Sequence, residues 1–254
     1  MTVTVDFSKD ERHLAIVANV QRLLADAKLL VEKGSPGTAL ATAILAFEEA
    51  GKGERLSLGL DKPRGKGSPS WHVFRQEIAS FSLFASLFQK YGLSLPTLDA
   101  TTRQHFEERG SGNNSLEELL EKPVPPEMRS MFVDQLMPGI DRLSDDDRLL
   151  LRIESRWVNK IFLAAASGKA EMERQSGLYV DIEDHHVTSD PEERTKLRAL
   201  YWIVVAERSF DILRDGAFHK PYGPLAAYVE TLPRPLPSWE NLAVQVRKIG
   251  ELYL

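Results

Sequence analysis

Apolar residues recur with a helical period along most of this chain. Val17, Val20, Leu24, Ala27 and Val31 repeat at spacings of three and four, which is one face of an α-helix. Ser8 and Glu11 form a capping-box pattern ahead of it, and Gly34 reads as its C-terminal stop. Ser35 and Pro36 follow at once as N-cap and first-turn proline of a second helix, with Leu40, Ile44, Phe47 and Gly51 on one face. So short a link predicts an antiparallel helical hairpin. A third helix is predicted over residues 71–91, capped by Ser70 and ended by Gly92, with Phe74, Ile78, Phe81, Phe84 or Ala85, and Phe88 on its face. Aromatics at that spacing read as core rather than as a cofactor box.

Further along, Ser144 and the acidic run Asp145-Asp146-Asp147 suit a helix start, because negative charge in a first turn opposes the positive helix end. Leu150, Ile153, Trp157, Ile161 and Ala164 mark the buried face of that long helix. Asp190 and Pro191 start another, around Leu197, Leu200, Tyr201, Val204, Val205 and Arg208, and Ser238 caps a last one. Leu178 to Asp181 is the one short extended piece. Residues 93–125 carry Gly110-Ser111-Gly112-Asn113-Asn114 and three prolines, and read as an inserted region of loop and short helix. The expectation is an all-α bundle in a single domain, 1–254, whose core is built from 1–92 and 126–254 around the 93–125 insertion.

Composition narrows the function classes. The chain has 254 residues, 43% of them hydrophobic, which suffices for a packed core without staples. It has no cysteine, which removes disulfides, thiolate metal sites and cysteine catalysis. The net charge of −5 argues against a global nucleic-acid binder, since phosphate neutralisation needs a basic surface. Met1 to Lys9 holds no apolar run of signal-peptide length, and the best apolar runs, Phe162 to Ala166 and Leu200 to Ala206, are too short for a membrane span. A cytoplasmic protein without membrane contact is expected.

Two stretches carry a family resemblance. Ala27-Lys28-Leu29-Leu30-Val31-Glu32-Lys33-Gly34, Ala39 to Ala43, and Phe47-Glu48-Glu49-Ala50-Gly51-Lys52 resemble the first two helices of the AbiV abortive-infection family. Arg174-Gln175-Ser176-Gly177-Leu178-Tyr179-Val180-Asp181, followed by Pro191, is similar to that family's Gly-Leu-Tyr-Val-Asp segment. The resemblance implies a HEPN-like helical bundle and a role in phage defence, blocking phage gene expression by binding a phage or host protein or an RNA. Many HEPN proteins are metal-independent ribonucleases with an Arg-x4–6-His site at a dimer interface, so it also implies a possible homodimer and a ribonuclease alternative.

Arg214-Asp215-Gly216-Ala217-Phe218-His219 is the one match to that spacing. His219 would act as general acid or base and Arg214 would stabilise phosphate charge. With six histidines in the chain, about one such match is expected by accident. Glu48, Glu49 and Lys52 form a second candidate. Glu48 and Lys52, four apart, suit a surface pair, or the carboxylates meet His72 or Arg75 in a binding site between helices. The small residues Ala39, Ala41, Ala43, Ala46 and Ala50 let other helices approach closely, so one of these carboxylates is expected to be buried against a cation. Asp181, Glu183, Asp184, His185 and His186 offer ligand types, but one loop of such residues reads as solvated charge, as do Lys62, Arg64 and Lys66. No metal and no cofactor is predicted. No phosphate-cradling loop, nucleophile elbow or zinc helix motif occurs.

Overall fold

A computed structural model describes residues 11–57, 69–93, 139–178, 181–183, 186–189 and 196–215. In chain order the named elements are α1 (Glu11–Glu32), α2 (Pro36–Ser57), α3 (Pro69–Lys90), α4 (Asp145–Ala166), α5 (Lys169–Ser176), β1 (Asp181–Glu183), β2 (His186–Ser189) and α6 (Lys196–Asp215). The all-α class holds. A two-stranded antiparallel hairpin of β1 and β2 is the one sheet among the described residues.

The α1–α2 hairpin forms by local chemistry. Gly34 takes φ +77°, and the amides of Gly34 and Ser35 bond back to the carbonyls of Val31 and Leu30 at 3.2 and 2.9 Å. This paired closure satisfies carbonyls that the helix end leaves open, and the left-handed backbone it needs favours glycine. Gly92, at φ +67°, ends α3 in the same way, with bonds from Gly92 to Gln89 and from Leu93 to Phe88. The expected α1 face is buried at Val20, Leu24, Ala27 and Val31, with Ile16 taking the place expected of the half-buried Val17. Ser144 caps α4 by accepting the Asp147 amide at 3.1 Å.

Helix α2 is the hub, lying against α1, α3, α5 and α6. Its small residues permit this. A Cβ added at Gly51 would sit 2.0 Å from the Arg75 carbonyl oxygen of α3, and one at Gly53 would sit 2.4 Å from Leu213 of α6. On another side, a Cβ on Gly177 would meet the Gly37 carbonyl oxygen at 2.6 Å, which sets the end of α5 directly on α2. Larger residues hold the centre: Leu40, Ile44 and Phe47 are fully buried, with the Trp202 ring of α6 5.8 Å from that of Phe47.

Three expectations need correction. The stripe on α3 is not one face. Ala79, Leu83, Leu87 and Phe88 join the main core, while Phe74 and Ile78 form a separate cluster with Trp71 and Phe81. The reason is that α3 packs against both α2 and α4, so it buries two faces. The face of α4 includes a carboxylate: Glu154 is fully buried, taking Lys90 Nζ at 2.9 Å and Tyr91 Oη at 2.7 Å. Leu178 belongs to the turn after α5 and not to the extended piece, whose Asp181 opens β1, while Tyr179 and Val180 lie outside the described residues. Ser8, residues 94–125, the start at Asp190-Pro191 and the helix after Ser238 lie outside the described residues. No helix among the described residues is long and apolar enough to cross a membrane.

Candidate functional site

The contact at Gly51 builds the site. Glu48 lies one turn before Gly51 on α2, and the close approach of the α3 backbone there brings His72 and Arg75 over it. Glu48 is only 2% exposed. Its Oε1 lies 2.7 Å from His72 Nδ1 and accepts from Arg75 Nη1 at 3.2 Å. Arg75 also reaches Glu49 Oε1 at 3.8 Å, and Lys52 Nζ pairs with Glu49 Oε2 at 3.2 Å. Lys52 therefore neutralises Glu49 and not Glu48, whose partners come from another helix. All five candidate binding residues meet in one cluster.

Helix α5 closes the other side. Glu171, 1% exposed, accepts from Arg174 Nε and Nη2 at 2.8 and 2.6 Å and from Gln175 Nε2 at 2.8 Å. Glu48, His72 and Glu171 each place one nitrogen or oxygen within 4.8 Å of the others. Three carboxylates, Glu48, Glu49 and Glu171, thus face three permanent cations, Lys52, Arg75 and Arg174. His72 is the titrating member. The hydrogen bond to Glu48 holds its pKa above the ordinary 6.5; burial works the other way, and the Glu48 and Glu171 charges add to the rise.

The cluster is not internally complete. Glu48 Oε2 is buried and finds no donor among the described residues. Arg75 Nε and both amide atoms of Gln76, the next residue on α3, likewise lack partners among them. Beside the cluster, the guanidinium carbons of Arg75 and Arg55 lie 4.7 and 5.1 Å from the Trp71 ring centroid. An imidazole held by a carboxylate, flanked by arginines, can move a proton or hold a charged group. Nearby on α2, burial pushes the Glu54 carboxyl up to about 7, against a hydrogen bond from Ser82 that lowers it.

Arg214 is exposed at the end of α6, where Asp215 Oδ1 accepts its Nε at 2.8 Å and Asp211 Oδ1 accepts its Nη2 at 3.4 Å. Any phosphate at Arg214 would compete with those two carboxylates. His219 and the Lys62, Arg64 and Lys66 loop lie outside the described residues. In the 181–186 stretch the backbone pairs Glu183 with His186 across the β1–β2 hairpin, while Asp184 and His185 lie outside the described residues.

Sequence reasoning missed the α5 contribution. Glu171, Arg174 and Gln175 stand at spacings of three and four, so the carboxylate and its donors share a face, and that was the available signal. It also missed Glu173, which receives Arg198 and, at 2.6 Å, Trp202 Nε1 and so ties α5 to α6.

The family model described as AbiV, of HEPN type, matches residues 11–90. That span covers α1, α2 and α3 and ends before the 174–181 segment. No curated protein and no solved structure matches the chain.

Proposed function

Through its first three helices the chain belongs to the AbiV family, and from that membership we propose that it is a phage-defence effector of the abortive-infection type, centred on the Glu48–His72–Arg75 cluster. The observation that carries the reading is the coincidence of family match and site: Glu48, Glu49, Lys52, His72 and Arg75 all fall within residues 11–90. The effector blocks phage gene expression by binding a phage or host protein or an RNA in the cytoplasm. It acts as a homodimer, since helical domains commonly complete their cores by twofold pairing. Light scattering then gives twice the 28.6 kDa chain mass, and a monomer mass rejects the dimer.

Expression in a phage-sensitive host, followed by plaque counts and survival at high phage dose, tests the function. Plaques fall and infected cells die before releasing phage; a folded His72→Ala variant restores plaquing. Plaque counts equal to those of an empty vector would overturn the proposal, and full protection by His72→Ala would remove the cluster from it.

A second reading, a metal-independent endoribonuclease using Arg214 and His219, draws support from the exposed position of Arg214 at the end of α6. Incubation with total RNA in chelator separates the two. Cleavage that disappears in His219→Ala selects the ribonuclease, and intact RNA rejects it.

A further inference from the structure

The inner face of the cluster combines an imidazole and two nearly buried carboxylates from three different helices. Glu48 of α2, His72 of α3 and Glu171 of α5 place one ligand atom each within 4.8 Å of one another. Ligand convergence from three separated elements differs from a run of acidic residues on one surface helix. A second observation points the same way: Glu48, 2% exposed, keeps its Oε2 buried with no donor among the described residues. A buried carboxylate oxygen without a partner costs free energy that a bound cation removes.

We propose that Glu48, His72 and Glu171 bind one divalent transition-metal cation, zinc or manganese, between α2, α3 and α5. The ligand set decides the class. Imidazole nitrogen suits borderline cations and carboxylate oxygen suits harder ones, so a mixed set favours zinc or manganese over magnesium or calcium, which take oxygen ligands. Ligand atoms on one zinc ion sit about 3–3.5 Å apart, so side-chain rotation of the order of 1 Å closes the present arrangement. Three protein ligands leave a coordination position open for water or a substrate oxygen, the pattern of a catalytic rather than a structural site.

The arginines set the terms of binding. Arg174 holds both oxygens of Glu171 and Arg75 holds Glu48 Oε1, and both are cations competing for the same carboxylates. Metal entry takes one Glu171 oxygen from Arg174 and the proton from His72. Arg75 then remains as a hydrogen-bonded support of the ligating Glu48, the outer contact that orients metal ligands. Removing Arg174 therefore strengthens metal binding while removing a ligand weakens it. These opposite signs separate a metal centre from a purely structural ion-pair network.

The test is independent of phage protection, so its outcome is distinct from that of the functional proposal. Full-length protein is freed of metal with chelator, then titrated calorimetrically with zinc chloride and manganese chloride, with magnesium as control. The expected result is one saturable equivalent of zinc or manganese per chain and a rise in Tm, with neither from magnesium. Affinity falls at least tenfold in His72→Ala and in Glu171→Gln and rises in Arg174→Gln. No saturable zinc or manganese binding overturns the proposal. So does binding that is unchanged in both ligand variants, which marks adventitious surface sites. Arg174→Gln keeps all three ligands, so if the ligand variants do not fold, unchanged or weaker binding in Arg174→Gln overturns it as well.

Discussion

Replacing Glu48 by glutamine removes one negative charge from the buried cluster with little change in shape. Glu48 is 2% exposed and takes His72 at 2.7 Å and Arg75 at 3.2 Å. Breaking a buried ion pair from one side typically costs about 3–5 kcal/mol, and a hydrogen bond to a charged group contributes about 1.5–3 kcal/mol. Glutamine retains one acceptor oxygen, and the His72 and Arg75 side chains are 28% and 17% exposed, so water softens the loss. The expected cost of Glu48→Gln is therefore about 2–3 kcal/mol. Glu49→Gln is the matched control. Its Lys52 partner is 36% exposed, and such pairs contribute below about 1 kcal/mol. Urea denaturation of both variants in metal-free buffer at neutral pH, followed by tryptophan fluorescence, measures the difference, provided the denaturant slope is unchanged. The reasoning fails if Glu48→Gln stays within about 0.5 kcal/mol of the parent, the range of an ordinary surface substitution. It also fails if Glu49→Gln costs as much.

Gly34→Val places a β-branched side chain at φ +77° and lowers stability by about 1–2 kcal/mol; an unchanged Tm rejects the left-handed backbone there. Gly51→Ala gains up to about 1 kcal/mol of helix propensity, yet its Cβ would fall 2.0 Å from the Arg75 oxygen. The net is a loss of about 1–3 kcal/mol from overpacking, and a Tm equal to or above that of the parent contradicts the α2–α3 approach. His72 has a raised pKa in the fold, so its stabilisation is complete below the unfolded value of 6.5 and is lost as pH rises through the higher folded value. Urea midpoints in metal-free buffer should therefore fall in the parent as pH rises above the ordinary 6.5. The profile should be flatter in His72→Gln, and parallel profiles reject the assignment.

Legibility followed sequence distance. The α1–α2 hairpin is written in adjacent residues, where Gly34, Ser35 and Pro36 are stop, cap and first-turn proline. That one of the carboxylates Glu48 and Glu49 is buried was legible one step further out, because the small residues of α2 imply close neighbours and a buried carboxylate needs a cation; the structure identifies it as Glu48. Its partners His72 and Arg75 lie 24 and 27 positions away and were within reach of that argument. Glu171 was not, since nothing local says that an eight-residue helix after Gly168 packs on α2. Glu154 is the opposite case. It sits four residues from both Leu150 and Val158, inside the apolar stripe of α4, and a charge in that register was itself a signal of a buried ion pair. The aromatic spacing on α3 misled because periodicity reports a face, while a helix packed between two neighbours buries more than one.

The two arginines of the cluster decide which ligand chemistry it serves. Arg75 and Arg174 are both committed to carboxylates, and with Lys52 they balance Glu48, Glu49 and Glu171. An RNA phosphate entering this site must compete with Glu48 and Glu171 for those guanidiniums. A divalent cation must compete with the guanidiniums for the same carboxylates. Each ligand thus gains when its rival is removed. Arg174→Gln weakens a phosphate and tightens a metal ion, while Glu171→Gln frees Arg174 for a phosphate and takes a ligand from the metal. Titrating both variants with zinc and with a short RNA in chelator gives crossed signs for a single-ligand site. If both variants weaken both ligands, the cluster acts on each only through the stability of the α2–α3–α5 packing. The polar centre would then be a structural support, and the binding surface for a phage or host partner would have to be sought elsewhere on the chain.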